Sequence, residues 1–131
     1  AGGKRIIAQL KKSGFKVIPH IIYEDFLRLM KVANVLVGNA STGIHEAPSF
    51  GLPAVNIGTR QQLRERGKNV IDVGYNENDI ESAIQKSLFD KKFISAVKRA
   101  KNPYDNGDTA KKVVKILTTI ELPPIQKVIT Y

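Results

Sequence analysis

"NVLVGNASTGIHEAPSFGLPAVNIGTRQ", residues 34–61, decides the fold. Two β-branched apolar runs, "NVLVG" (34–38) and "PAVNIG" (53–58), frame a loop of small residues and a short helix over "IHEAPSFG" (44–51). The second strand begins at Pro53, a position that proline tolerates. Pro48 removes a helical N–H, so the helix between the strands is expected to be short or kinked.

Working outward, the same alternation repeats on both sides. Upstream, "FKVIP" (15–19) reads as a strand, and "YEDFLRLMKVA" (23–33) places Tyr23, Phe26, Leu27 and Met30 on one helical stripe. A first helix carries Ile6, Ile7 and Leu10 among Lys4, Arg5, Lys11 and Lys12, and stops at Gly14. Downstream, "VIDVG" (70–74) is a further apolar strand. The helix after it turns Ile80, Ala83, Ile84 and Leu88 inward, with Glu77, Asp79 and Glu81 near its positive end. Asp90 caps a helix over 91–100. Asp108 or Thr109 opens a last one carrying Val113, Val114, Leu117 and Ile120, which ends at Pro123-Pro124; residues 122–131 read as a tail. Short apolar strands separated by helices are the pattern of a parallel sheet covered on both faces. The fold class is therefore α/β, a Rossmann-like three-layer parallel sheet, and residues 1–131 form one domain.

Composition narrows the function classes. Hydrophobic residues at 42% and charged residues at 25% fit a packed globular core. No apolar run reaches the ~20 residues of a membrane span, and a soluble, cytoplasmic protein with no membrane partner is expected. The absence of cysteine excludes disulfides and thiolate metal sites, and neither a metal nor a cofactor is expected. A net charge of +9 raises nucleic acid as a partner, but the lysines and arginines are dispersed over several helices with no aromatic platform, so no nucleic acid is expected.

In open α/β sheets ligands bind beyond the carboxyl ends of the strands, which points to residues 38–46 and 58–61. Gly38, Asn39, Ala40, Ser41, Thr42 and Gly43 leave the backbone reachable, and a helix starting near Ser41 or Thr42 offers unpaired amide groups to a phosphate. Glu46, four residues beyond Thr42, lies ~6 Å along the same element. Its carboxylate can accept from both vicinal hydroxyls of a ribose. An ordinary N-cap at Ser41 or Thr42 beside a solvated Glu46 is the alternative.

"EAPSFGLPAV" (46–55) resembles the Glu-Ala-x-x-x-Gly-x-Pro signature in the second domain of nucleotide-sugar enzymes built from two facing Rossmann halves, the GT-B architecture. More narrowly, "LMKVANVLVGNASTGIHEAPSFGLPAVNIGTRQQLRERGKNVIDVG" and "NPYDNGDTAKKVVKIL" resemble the C-terminal half of UDP-N-acetylglucosamine 2-epimerases, especially the hydrolysing branch that makes N-acetylmannosamine for sialic-acid-type pathways. The resemblance implies UDP and UDP-N-acetylglucosamine as ligands, with Ala40, Ser41 and Thr42 at the diphosphate and Glu46 at the ribose. It further implies Ile21 and Tyr23 beside the uracil, and Arg60 in the cleft as the catalytic cation that steadies departing diphosphate.

The family reaction eliminates UDP and then adds water to the unsaturated sugar, with the acid and base drawn largely from an N-terminal half. That half is the implied partner, alongside a homo-oligomeric state. A chain opening Ala1-Gly2-Gly3 without methionine is expected to be a piece, inactive by itself. A non-hydrolysing epimerase and a GT-B glycosyltransferase donor domain are the alternatives within this architecture. There are departures: Ala40 stands where relatives often carry serine, and Leu63 where they carry glycine. His45 occupies a variable position, and His20 reads as a structural or cleft-edge histidine.

Overall fold

The structure, a computed structural model, describes residues 3–121. In chain order it runs α1 (Gly3–Lys12), α2 (Tyr23–Val32), β1 (Leu36–Gly38), α3 (Thr42–His45), a 3₁₀ helix (Ala47–Phe50), β2 (Ala54–Ile57), β3 (Val70–Val73), α4 (Glu77–Phe89), α5 (Lys91–Arg99) and α6 (Thr109–Thr119). The tail and the proline stop at 123–124 lie outside the described residues.

The three strands form one parallel sheet in the order β1-β2-β3. Leu36 pairs with Ala54 and Gly38 with Asn56, and Asn56 in turn pairs with Asp72. Because all three run the same way, the loops after Gly38, Ile57 and Val73 emerge along one edge. On the central strand both Ala54 and its neighbour Val55 are buried, Val55 completely at 0% exposure. Successive strand residues face opposite sides, so this sheet is covered above and below. On one side α3 approaches so closely that a Cβ on Gly43 would stand 3.2 Å from that of Ala54; glycine is the residue that permits the contact. On the other, α4 packs against β2 and β3.

The element around Pro48 divides as the missing N–H requires. The α-helix ends at His45, the chain tightens into the 3₁₀ turn, and Gly51 closes it in the left-handed conformation. Behind it Met30, Ala47 and Leu52 form a buried cluster with Phe26, Leu27 and Leu36 packed against it, which anchors α2. Of the predicted stripe on α2, Tyr23 stays outside at 61% exposure. Helices α4 and α5 begin where Asn76 and Asp90 accept backbone N–H groups, Asn78 and Asp79 donating to the first, Lys92 and Phe93 to the second.

One element is corrected. "FKVIP" (15–19) forms no strand, and Phe15, Val17 and Ile18 are exposed. A strand needs a ladder partner; this segment has none among the described residues, and Pro19 has no N–H to offer one. The apolar stripes of α1 and α6 likewise form as predicted helices but bury no residue. No described helix is long and apolar enough to cross a membrane.

Candidate functional site

The edge where the strands end carries the predicted residues. After β1, Ser41 occupies the cap position of α3 in a helical conformation and its side chain makes no capping hydrogen bond. The hydroxyl that could have been a structural cap is therefore uncommitted. The amide groups of Ala40, Ser41 and Thr42 donate to no backbone carbonyl among the described residues, whereas from Gly43 onward the ladder begins, Gly43 N–H to the Ala40 carbonyl at 3.3 Å and Ile44 N–H to that of Ser41 at 2.8 Å. Three successive donors are thus left without a backbone partner in a loop with almost no side-chain bulk. With only four residues, α3 has a weak dipole, so the donors rather than the macrodipole supply the attraction for an anion.

The loop is held from behind by Asn69, which is buried. Its amide donates to the Gly43 carbonyl at 3.0 Å and to the Leu52 carbonyl at 3.1 Å. Both ends of the α3 and 3₁₀ segment are thereby fixed against the sheet.

Glu46 sits where that segment changes winding, its own N–H returning to the Thr42 carbonyl at 3.2 Å. It is half-buried, and its Oε2 is enclosed with no hydrogen-bond partner. A carboxylate oxygen removed from water without a donor is costly, and such orphans are rare. Glu46 is the one carboxylate among the five buried side-chain oxygens that lack a partner among the described residues, the others being on Asn56, Gln61, Asn69 and Ser87.

After β2, Gly58 takes φ +77 with the Tyr75 ring against it, leaving no room for a Cβ. Arg60 follows on an exposed loop and pairs with no carboxylate among the described residues. The next residue, Gln61, is 2% exposed and its amide donates to the Asn39 carbonyl at 2.7 Å. The loops bearing Ala40–Thr42 and Arg60 are brought together by this bond.

A second polar web supports the far end of the Arg60 loop. Arg64 Nη1 lies 2.8 Å from His45 Nε2, and the His45 and Tyr104 rings are 4.3 Å apart. The Tyr104 hydroxyl donates to the Glu65 carbonyl at 3.2 Å, and Asn102 donates to the His45 carbonyl and to Ser49 Oγ, each at 2.7 Å. Arg66 holds Asp72 through two nitrogens, at 3.0 and 3.2 Å, and Asn56 donates to the same carboxylate at 2.6 Å. Desolvation is the largest single influence on Asp72 and pushes its pKa up. The hydrogen bonds from Arg66 and Asn56 and the guanidinium charge together outweigh it, so Asp72 titrates below the ordinary value of 3.8.

Ile21 and Tyr23 stand apart from this corner. Ile21 is half-buried in a cleft with Ile18, His20, Ile22 and Leu29, and α2, which follows it, joins the Glu46 segment through the Met30 cluster. Sequence reading passed over Gln61, Asn69, Asn102 and Tyr104. They lay inside "GTRQ", "GKNV" and "NPYD", yet nothing in those letters announced which carbonyls they would hold.

The profile of the UDP-N-acetylglucosamine 2-epimerase family matches residues 1–118. A UDP-N-acetylglucosamine 2-epimerase of Neisseria meningitidis serogroup B is 36% identical over 93% of this chain and 32% of its own length. The UDP-N,N'-diacetylbacillosamine 2-epimerase (hydrolyzing) of Legionella pneumophila is 36% identical over 82% of this chain and 27% of its own. The chain thus spans about a third of the length of these curated relatives. A crystal structure from Listeria monocytogenes, described as a "putative UDP-N-acetylglucosamine 2-epimerase", superposes with a TM-score of 0.69 over 87% of this chain and 32% of that one, at 18% identity, and shares the Rossmann-like α/β fold. By sequence over nearly its whole length, this chain belongs to the UDP-N-acetylglucosamine 2-epimerase family.

Proposed function

We propose that this chain is the UDP-binding half of a UDP-N-acetylglucosamine 2-epimerase of the hydrolysing type, converting UDP-N-acetylglucosamine and water to N-acetylmannosamine and UDP. One observation carries the assignment of the binding site: an enclosed, unpartnered Glu46 oxygen one helical turn beyond three amides with no backbone acceptor. An acceptor beside a donor cradle, at ~6 Å separation, is the complement of a ribose next to a diphosphate. The hydrolysing relative from Legionella supports that branch.

In this reading the amides of Ala40, Ser41 and Thr42 and the hydroxyls of Ser41 and Thr42 bind the diphosphate, and Glu46 accepts from the ribose hydroxyls. Alanine at position 40 supplies its amide alone. Ile21 and Tyr23 flank the uracil. Elimination removes a proton from the second carbon of the sugar as the anomeric C–O bond breaks, and charge accumulates on the leaving diphosphate. Arg60 stabilises that charge, an interaction stronger in the transition state than in the bound substrate. Water then adds across the double bond with inversion at the second carbon. In this reading the acid and base for the proton transfers come largely from an N-terminal half.

The test separates the two halves of the site. Glu46→Gln keeps the shape but trades one acceptor oxygen for an NH₂ donor. It should weaken UDP and uridine alike by about tenfold, the worth of a charge-assisted hydrogen bond, and leave inorganic diphosphate unchanged in calorimetric titration. Equal loss for all three ligands would overturn the ribose assignment.

A further inference from the structure

Arg60 sits on an exposed loop in which Gln61 is the one fully buried side chain. Residues 59–66 are exposed except for Gln61 and the partly covered Arg66. Turn bonds from Gln62 N–H to the Thr59 carbonyl and from Arg64 N–H to that of Gln61 shape the loop internally. Its far end is tied by Arg64 to His45, by the Glu65 carbonyl to Tyr104 and by Arg66 to Asp72; at the Arg60 end the tie is Gln61. The side chain of Gln61 reaches back under the loop, 2% exposed, and its Nε2 donates to the Asn39 carbonyl at 2.7 Å. Asn39 immediately precedes the Ala40–Thr42 amides, so this bond fixes the distance between the loop of Arg60 and the cradle.

The cradle does not depend on it in return. Asn69 holds Gly43, and Gly43 packs on Ala54 and Leu36. Gln61 also carries an anomaly: its Oε1 is buried with no partner. An apolar side chain of the same length would fill the space without enclosing that acceptor, and the Asn39 carbonyl it leaves belongs to an exposed residue that water can reach. What the amide adds is its donor.

We infer that Gln61 is a positioning residue of the site, holding the Arg60 guanidinium over the diphosphate by strapping its loop to the Asn39 carbonyl. This rests on the proposed roles of Arg60 and the 40–42 cradle, and deepens them. Gln61 touches no substrate; it acts through Arg60.

A double-mutant cycle tests this on the present chain, with inorganic diphosphate, UDP and uridine as titrants. Arg60→Ala first establishes the role of the cation: diphosphate and UDP should weaken by about tenfold and uridine should not change. Gln61→Met should weaken the same two ligands by several-fold, again sparing uridine, and should leave the thermal midpoint nearly unmoved. In the Arg60→Ala background, Gln61→Met should have no further effect, because nothing remains for it to position. Gln61→Leu, which removes the donor without adding a charge beside the anion, should repeat the pattern and serves if the methionine variant does not fold. Additive losses, or loss of uridine binding with the others, would overturn the inference and make Gln61 an ordinary structural residue. If Arg60→Ala itself leaves diphosphate binding intact, the role of Arg60 falls first, and that of Gln61 with it.

Discussion

Leu63 holds a backbone angle its own side chain disfavours. Its φ is 64, and at 105% exposure the side chain gains nothing from burial. A left-handed angle costs a β-carbon residue about 1–2 kcal/mol, which asparagine largely avoids. Leu63→Asn is therefore expected to raise unfolding stability by about 0.5–1 kcal/mol in a urea titration. A loss of that size would show that the leucine side chain has a partner. The departure at this position was visible in the sequence, because the resembling motif carries glycine; its cause became visible only as an angle. The place of Glu46 was legible, one acid one turn beyond a bare loop, but its enclosure was not. Gln61 and Asn69 were not. Their partners are the carbonyls of Asn39 and Gly43, 22 and 26 residues away, and a main-chain acceptor has no letter of its own.

At the scale of elements, β1, β2, β3 and α4 were readable because a buried strand or helix must show its period in apolar residues. The segment 15–19 has the same composition and no strand, since pairing depends on a neighbour and not on propensity. Two parallel strands are also joined through polar side chains: Asn56 on β2 and Asp72 on β3 are register partners, and Arg66 from the preceding loop closes on the same carboxylate. This makes one part of the stability titratable. The folded pKa of Asp72 is lowered, so its contribution is present above the ordinary value of 3.8 and is lost as pH falls through the lower folded value. The difference in denaturation midpoint between the native chain and Asp72→Asn should hold steady from neutral pH to about pH 5 and shrink steadily below 3.8. A difference independent of pH throughout that acid range would mean the Arg66 pairing contributes nothing.

For the whole molecule, the topology does the gathering. Parallel strands place the ends of β1, β2 and β3 on one edge, and residues 39–46 and 58–61 meet there because a crossover connection brings each strand back to the same side. The net charge of +9 is spread over the chain, while the local attraction for an anion comes from backbone amides and one arginine. The helices with unburied apolar stripes, α1 and α6, were correctly read as amphipathic, but a stripe does not state what it faces. The central claim is the placement of a nucleoside diphosphate on this edge, and a crystal structure of the chain with UDP tests it most directly. The account predicts diphosphate oxygens within hydrogen-bond distance of the Ala40, Ser41 and Thr42 amides, and ribose hydroxyls donating to Glu46. UDP seated elsewhere, with the Glu46 oxygen still unpartnered, would contradict it.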